Sequence, residues 1–145
     1  MYKKLAIAIS INAVLMYLIT YVMIDDFNHF YFNINRVYMA LMMVAPMVIV
    51  MLLVMGSMYE NKKLNYILIA ASAGVFLLFF LLARTQTPVG NGQFLRSMIP
   101  HHSIAIVMCQ ESDLTDPEII KLCEKIIKAQ EEEISFVKSL LSRTQ

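Results

Sequence analysis

Two adjacent histidines, His101 and His102, stand in the stretch "SMIPHHSIAIVMC" between two methionines and a cysteine. The chain has only three histidines, so most of its imidazoles are placed side by side. Thioether, imidazole and thiolate groups form the ligand set that favours Cu(I), and imidazole also accepts Cu(II), Zn and Ni. The chemistry to expect from this stretch is therefore metal coordination.

A helical conformation would collect these side chains on one surface. At about 100° per residue, Met98, His102 and Cys109 share one face of a helix, with His101 and Met108 on its flank. Adjacent histidines cannot both point along one axis. One is expected to bind metal, while the other is a second ligand from the flank, a hydrogen-bonding support, or a ligand to a site shared with another subunit.

A second helical segment supplies polar partners for the first. The apolar stripe of "DPEIIKLCEKIIKAQEEEISFVKSLL" includes Gln130 and Glu133, and a buried carboxylate needs a hydrogen-bond donor or a cation. The short connection between the segments requires an antiparallel hairpin, which would bring both residues within about a turn of Met98 and His101. The predicted metal-binding residues are Met98, His101, His102, Met108, Cys109, Gln130 and Glu133.

The ends of both helices can be predicted. The first should run from about Asn91, a candidate N-cap, to about Ser112, with Pro100 kinking it beside the histidines. The second should begin at "TDPEII", residues 115–120, and continue to about Leu141. Either its threonine and glutamate form a capping box, or its aspartate caps a helix that the proline begins.

Three apolar runs precede the hairpin. The chain is 59% hydrophobic, against about 45 to 50% in an ordinary soluble domain, and its mean hydropathy is +0.62. Leu5–Ile24, Val37–Tyr59 and Leu64–Ala83 contain no Asp, Glu, Lys or Arg. Each has the ~20 residues that a helix needs to cross a bilayer. These runs predict three transmembrane helices.

Basic residues flanking the spans predict their orientation. Lysine pairs at positions 3–4 and 62–63 outnumber Arg36 and Arg84 on the opposite side, which favours a cytoplasmic N-terminus and an extracytoplasmic C-terminal part. We expect a transmembrane anchor over residues 1–84, a linker over 85–92 and a hairpin domain over 93–145, in a bacterial inner or plasma membrane. His29, between the first two spans, is expected at the membrane interface.

The predicted fold class is all-α, with three transmembrane helices followed by the hairpin. A two-helix hairpin buries too little apolar surface to stand alone, so two hairpins should pair into a four-helix bundle in a homodimer or higher homo-oligomer. Residues 85–145 carry six basic and eight acidic side chains, which argues against a nucleic-acid partner. The expected partners are membrane lipid, a second copy of the chain and a metal ion.

The combination of "MIPHH", a following "AIVM" and "QEEEI" on the next helix resembles the domain of unknown function 305 family, which consists of ferritin-like helical domains. The resemblance covers about Gln93–Leu141. It implies a metal-handling role, since some members are implicated in binding copper or silver. Its motif positions here are Met98, His101, His102, Met108, Gln130 and Glu133. Many members carry small residues where this chain has Cys109 and Cys123, so the cysteines form a disulfide or add soft ligands.

Two functions follow from these residues. The first is a membrane-anchored extracytoplasmic protein that binds copper, or another transition metal, for copper handling or tolerance. The second is an oligomerisation or interaction module in which His101, His102, Gln130 and Glu133 form a hydrogen-bond network without metal. A ferritin-like oxidase is disfavoured, because a di-iron site recruits several carboxylates and this domain offers chiefly Glu133. No nucleophile with a base, phosphate loop or nucleotide fingerprint is present, so no enzyme activity is expected.

Overall fold

The structure, a computed structural model, describes residues 2–144. These residues form five α-helices and two short 3-10 helices, with no strand among them. The α-helices are α1 (Tyr2–Ile19), α2 (Ile34–Val54), α3 (Lys62–Thr85), α4 (Asn91–Glu111) and α5 (Pro117–Arg143). The predicted all-α fold, with three long apolar helices before a helical hairpin, is confirmed. The pairing of two hairpins stays a prediction.

Helices α1, α2 and α3 are each long and apolar enough to cross a membrane. Their lengths correspond to about 27 to 36 Å at the α-helical rise of about 1.5 Å per residue. In the most apolar stretch of α3 no residue is buried within the chain. An apolar helix surface left uncovered in this way is suited to contact with lipid. These properties are consistent with membrane association.

The first apolar helix is shorter than predicted. We expected a span over Leu5–Ile24, whereas α1 ends at Ile19 and residues 20–23 form turns. Tyr21, in the part of the run beyond α1, is buried and its hydroxyl donates a hydrogen bond to the Tyr31 carbonyl at 2.6 Å. Composition does not distinguish an apolar helix from an apolar loop, and this contact with a later residue turns the chain out of the helix.

The chain divides into two compact units, each described here by itself. The first comprises Met1–Thr20 and Asn35–Pro88. Its core consists of Leu5, Val44, Val48, Leu52 and Tyr59. At one end of this core the Tyr2 hydroxyl donates to Asn65 Oδ1 at 2.8 Å, and Asn65 Nδ2 donates to the Tyr59 carbonyl at 3.0 Å. The buried amide of Asn65 is thereby satisfied.

The second unit comprises Tyr21–Ile34 and Val89–Gln145. The sequence assigned residues 21–34 to the membrane anchor, whereas the structure groups them with the hairpin. Helices α4 and α5 pack around a core of Leu95, Ile99, Ile106, Ile134 and Leu141. Pro100 lies inside α4 and is fully buried. Buried side chains of α4 thus directly precede the two histidines in the sequence.

The caps of the hairpin helices differ in how well they were predicted. Asn91 is the first residue of α4 rather than its cap, since Gly90 holds the extended cap position without a side-chain hydrogen bond. At the start of α5, the choice left open is decided in favour of Asp116. Its Oδ1 accepts from the backbone N–H groups of Glu118 and Ile119 at 2.8 and 3.3 Å, and Pro117 begins the helix.

Candidate functional site

A disulfide between Cys109 and Cys123 sets the register of the hairpin. The two Cα atoms are 5.3 Å apart, and the bond joins the last turns of α4 to the first turns of α5. This settles the alternative that the sequence left open. A sulfur atom in a disulfide is not a thiolate and is therefore no ligand for a soft metal in this form. Cys109 accordingly acts here as a covalent link between the helices.

His102 and Glu133 are the two predicted site residues that meet across the hairpin. The Nδ1 atom of His102 lies 2.8 Å from Oε2 of Glu133. The His102 side chain is 12% exposed and that of Glu133 is 55% exposed, so the carboxylate is not the buried group we predicted. Nδ1 is buried and its N–H direction misses the oxygen, so the contact has the distance of an ion pair without the alignment of a hydrogen bond.

His101 and Met98 lie beside His102 on the same stretch of α4. The rings of His101 and His102 have centroids 5.9 Å apart at an interplanar angle of 64°, and His101 is exposed while His102 is largely buried. The two imidazoles thus point in different directions, as expected for adjacent residues of a helix. Met98 is partly buried and lies one helical turn before His102. These three side chains form one group within about a turn of helix.

The remaining predicted residues are placed differently. Met108 is exposed and lies about 9 Å along the helix axis from His102, as six residues at the α-helical rise require. Gln130 is partly buried one turn before Glu133, and its side chain makes no hydrogen bond within residues 2–144. The predicted set therefore separates into a group around His102 and a second group at the disulfide end of the hairpin.

The protonation of His102 suits a metal ligand. Burial lowers its pKa below the ordinary histidine value, and nearby His101 acts in the same direction, while the Glu133 carboxylate opposes both. The ring is consequently neutral near pH 7, which is the form that coordinates metals. Its second nitrogen, Nε2, makes no hydrogen bond to any residue in the described range of 2–144.

The His, Cys, Asp and Glu side chains around His102 do not complete a metal-binding cage within residues 2–144. Among residues 2–144, no group of three or more His, Cys, Asp or Glu side chains is placed to hold a metal ion. The donors next to His102 are the His101 imidazole and the Met98 thioether, which is a soft ligand. Imidazole and thioether donors are of the kind that soft metal ions accept.

Three residues that sequence reasoning did not assign to the site lie close to it. Ser103 is fully buried, and its Oγ accepts a hydrogen bond from the backbone N–H of Asp25 at 2.7 Å. His29 Nδ1 lies 3.0 Å from the same oxygen. This contact turns the His29 side chain toward α4, and the expectation that His29 lies at the membrane interface stays a prediction. The polar cluster "DDFNH" between two apolar runs was the available signal, but its partner lies far along the chain.

The fold and site together define a protein with membrane-length helices and a disulfide-linked helical hairpin that carries a histidine–carboxylate pair. The chain belongs to the domain of unknown function 305 (DUF305) family, whose family model matches residues 81–141. The match begins within α3, upstream of the Gln93 boundary that the motifs suggested.

One relative matches a longer part of the chain than the family model does. An uncharacterized protein of Acanthamoeba polyphaga mimivirus is 32% identical over 111 residues, which cover 75% of this chain and 71% of the relative. No solved structure matches the chain. The match to the relative extends beyond the 81–141 region into other parts of the chain. The family model confirms the family resemblance drawn from the motifs.

Proposed function

We propose that this protein binds a soft transition metal, with Cu(I) as the preferred ion, on the hairpin of a membrane-anchored chain. The observation that carries the proposal is the 2.8 Å approach of Glu133 Oε2 to His102 Nδ1. The negative charge beside one ring nitrogen favours the tautomer with its proton on that nitrogen, and it raises the basicity of the imidazole as a ligand through the other nitrogen. Metal-ligating histidines commonly have such a partner.

The ligands of the metal would come from one turn of α4. His102 would bind through Nε2, with Met98 as a thioether donor and His101 as a further imidazole from the flank. The lowered pKa of His102 supports binding near neutral pH, because no proton has to be displaced from the ring. The metal is cargo in this proposal, and binding takes place by coordination without a chemical reaction.

The proposed location is outside the cytoplasm. The disulfide between Cys109 and Cys123 supports this, because disulfides persist in oxidising compartments and are rare in the cytosol. The lysine pairs at positions 3–4 and 62–63 support the same orientation through the positive-inside rule. The anchor would then keep the bound metal close to the outer face of the membrane.

The test is a titration of the full-length protein in detergent with Cu(I), in competition with a chromophoric chelator. The His101→Ala and His102→Ala double variant should lose binding, and Met98→Leu should weaken it. Met108→Leu is the matched control, since this methionine is on the same helix but about 9 Å from His102 along the axis. Its affinity should equal that of the wild-type protein.

Equal Cu(I) affinity in the wild-type protein and the double-histidine variant would overturn the proposal. In that case the interaction module becomes the better account of the cluster. It predicts that the same double variant loses oligomerisation in metal-free buffer, which size-exclusion chromatography with light scattering would detect. Cu(I) titration and oligomer analysis of the wild-type protein and the double-histidine variant therefore distinguish metal binding from the interaction module.

A further inference from the structure

The segment Thr20–Asn33 occupies a defined place in the chain. It joins the end of α1 at Ile19 to the start of α2 at Ile34, and both helices are long and apolar enough to cross a membrane. A connection between two consecutive spanning helices emerges at, and returns to, the same membrane surface. Connectivity alone therefore keeps this segment next to lipid headgroups.

One side of the segment is held by hydrogen bonds to α4 and within itself. Besides the contacts of Asp25 and His29 with Ser103, the backbone N–H of Ile34 donates to Gln93 Oε1 at 3.0 Å. Asn33 is fully buried, and its Nδ2 donates to the Tyr31 carbonyl at 3.0 Å. The segment is thus a structured platform with one occupied side.

The segment also carries exposed apolar side chains. Phe27 is 93% exposed and Val22 is 79% exposed, and Met23, Phe30 and Phe32 are exposed as well. Phe27 begins a 3-10 helix that Asp26 caps by accepting a hydrogen bond from the Asn28 N–H at 2.6 Å. The cap fixes the backbone at Phe27. Single exposed apolar residues are common on proteins, but several within one short segment normally mark an interaction surface.

We infer that Phe27, Val22 and their exposed apolar neighbours insert into the interfacial layer of the bilayer, at the boundary between headgroups and acyl chains. Aromatic and aliphatic side chains bury favourably at this depth. The occupant is lipid, because the segment is tied at both ends to membrane-length helices. Residues 20–33 include Asp25 and Asp26 and no lysine or arginine, so the contact is hydrophobic and needs no anionic lipid. This inference is independent of metal binding.

The chain contains no tryptophan, which permits a direct test. The Phe27→Trp and Val22→Trp variants each introduce a single tryptophan at an exposed position. Leu122→Trp is the matched control, since Leu122 is exposed on α5 beside the disulfide. The full-length variants are reconstituted in phosphatidylcholine nanodiscs with and without bromine on acyl carbons near the headgroup.

Bromolipid should reduce the fluorescence of Phe27→Trp and Val22→Trp by about twofold or more, with little effect on Leu122→Trp, because bromine quenches only fluorophores at its own depth. Adding anionic lipid should leave the quenching unchanged. Quenching of both variants no greater than that of Leu122→Trp would overturn the inference. A blue-shifted but unquenched Phe27→Trp spectrum would also overturn it, since protein rather than lipid would then cover the site.

Discussion

Ser103 on α4 accepts a hydrogen bond from the backbone N–H of Asp25 at 2.7 Å, across 78 positions of the chain. The hydroxyl is fully buried, and its hydrogen can be donated to His29 Nδ1 at 3.0 Å. Ser103 directly follows His102 in the sequence. The segment that joins α1 and α2 is therefore attached to the hairpin at the position next to the proposed metal ligand.

Removal of the Ser103 hydroxyl should release this attachment. Ser103→Ala leaves the Asp25 N–H without its buried acceptor, which costs about 1 to 3 kcal/mol. Hydrogen exchange should show faster exchange of the Asp25 amide. Ser97→Ala is the control, because the Ser97 hydroxyl donates to the Phe94 carbonyl within its own helix at 2.8 Å. If both variants exchange at the wild-type rate, the contact does not hold the segment.

The carboxylate of Glu133 should tune metal affinity without binding metal itself. Glu133→Gln removes the charge that faces His102, and loss of such a partner typically lowers metal affinity about 10 to 100-fold. Cu(I) competition titration measures the change. Glu132→Gln provides the comparison, since Glu132 is an exposed neighbour of the same charge. A matching loss in both variants would point to the general negative potential rather than to the His102 contact.

Acidification should destabilise the second unit. Burial lowers the pKa of His102. Burial and the positive charge of Lys138 lower the pKa of His29, although Asp26 and Asp25 act in the opposite direction. For both rings, the unfolded chain therefore binds protons more readily than the folded chain does. Their contribution to stability is complete above the ordinary value of 6.5 and declines as the pH falls below it toward the lowered values.

This pH dependence can be followed by thermal unfolding between about pH 7.5 and 5. Replacing His29 and His102 together by glutamine should flatten the decline. The carboxylates of the unit, including Asp25 and Glu131 in the cleft beside His29, are the same in both proteins. A decline as steep in the double variant as in the wild type would contradict the assignment.

The disulfide should contribute substantially to the stability of the hairpin. Cys109 and Cys123 close a loop with a sequence separation of 14, for which loop-closure entropy corresponds to about 3 kcal/mol. The Cys109→Ser and Cys123→Ser double variant should therefore unfold at lower temperature, and a reductant should produce the same shift only in the wild-type protein. Alkylation of unfolded, unreduced protein should modify neither cysteine; modification of both would show that the bond is absent.

The α-helices of this fold could be predicted from local sequence patterns. Runs free of charged residues predict apolar helices, because a helix that spans a bilayer needs consecutive apolar residues and this requirement can be read directly from composition. The capping choice at Asp116 and Pro117 was likewise among the alternatives, since a helix end is decided by adjacent residues. Glu133 was predicted to face α4, and it does, but its exposure was not predicted because helical periodicity does not report how deeply a face is covered.

The sequence by itself determined the all-helical class, the three apolar helices, the hairpin and the family, because each depends on composition, periodicity or a short motif. Only the tertiary structure decided that Glu133 contacts His102 and that Cys109 bonds to Cys123. It also decided that the Ser103 hydroxyl accepts a hydrogen bond from the backbone of Asp25. These contacts join residues far apart in the chain. They depend on the rotation and register of whole helices, which long-range packing sets and no local pattern encodes.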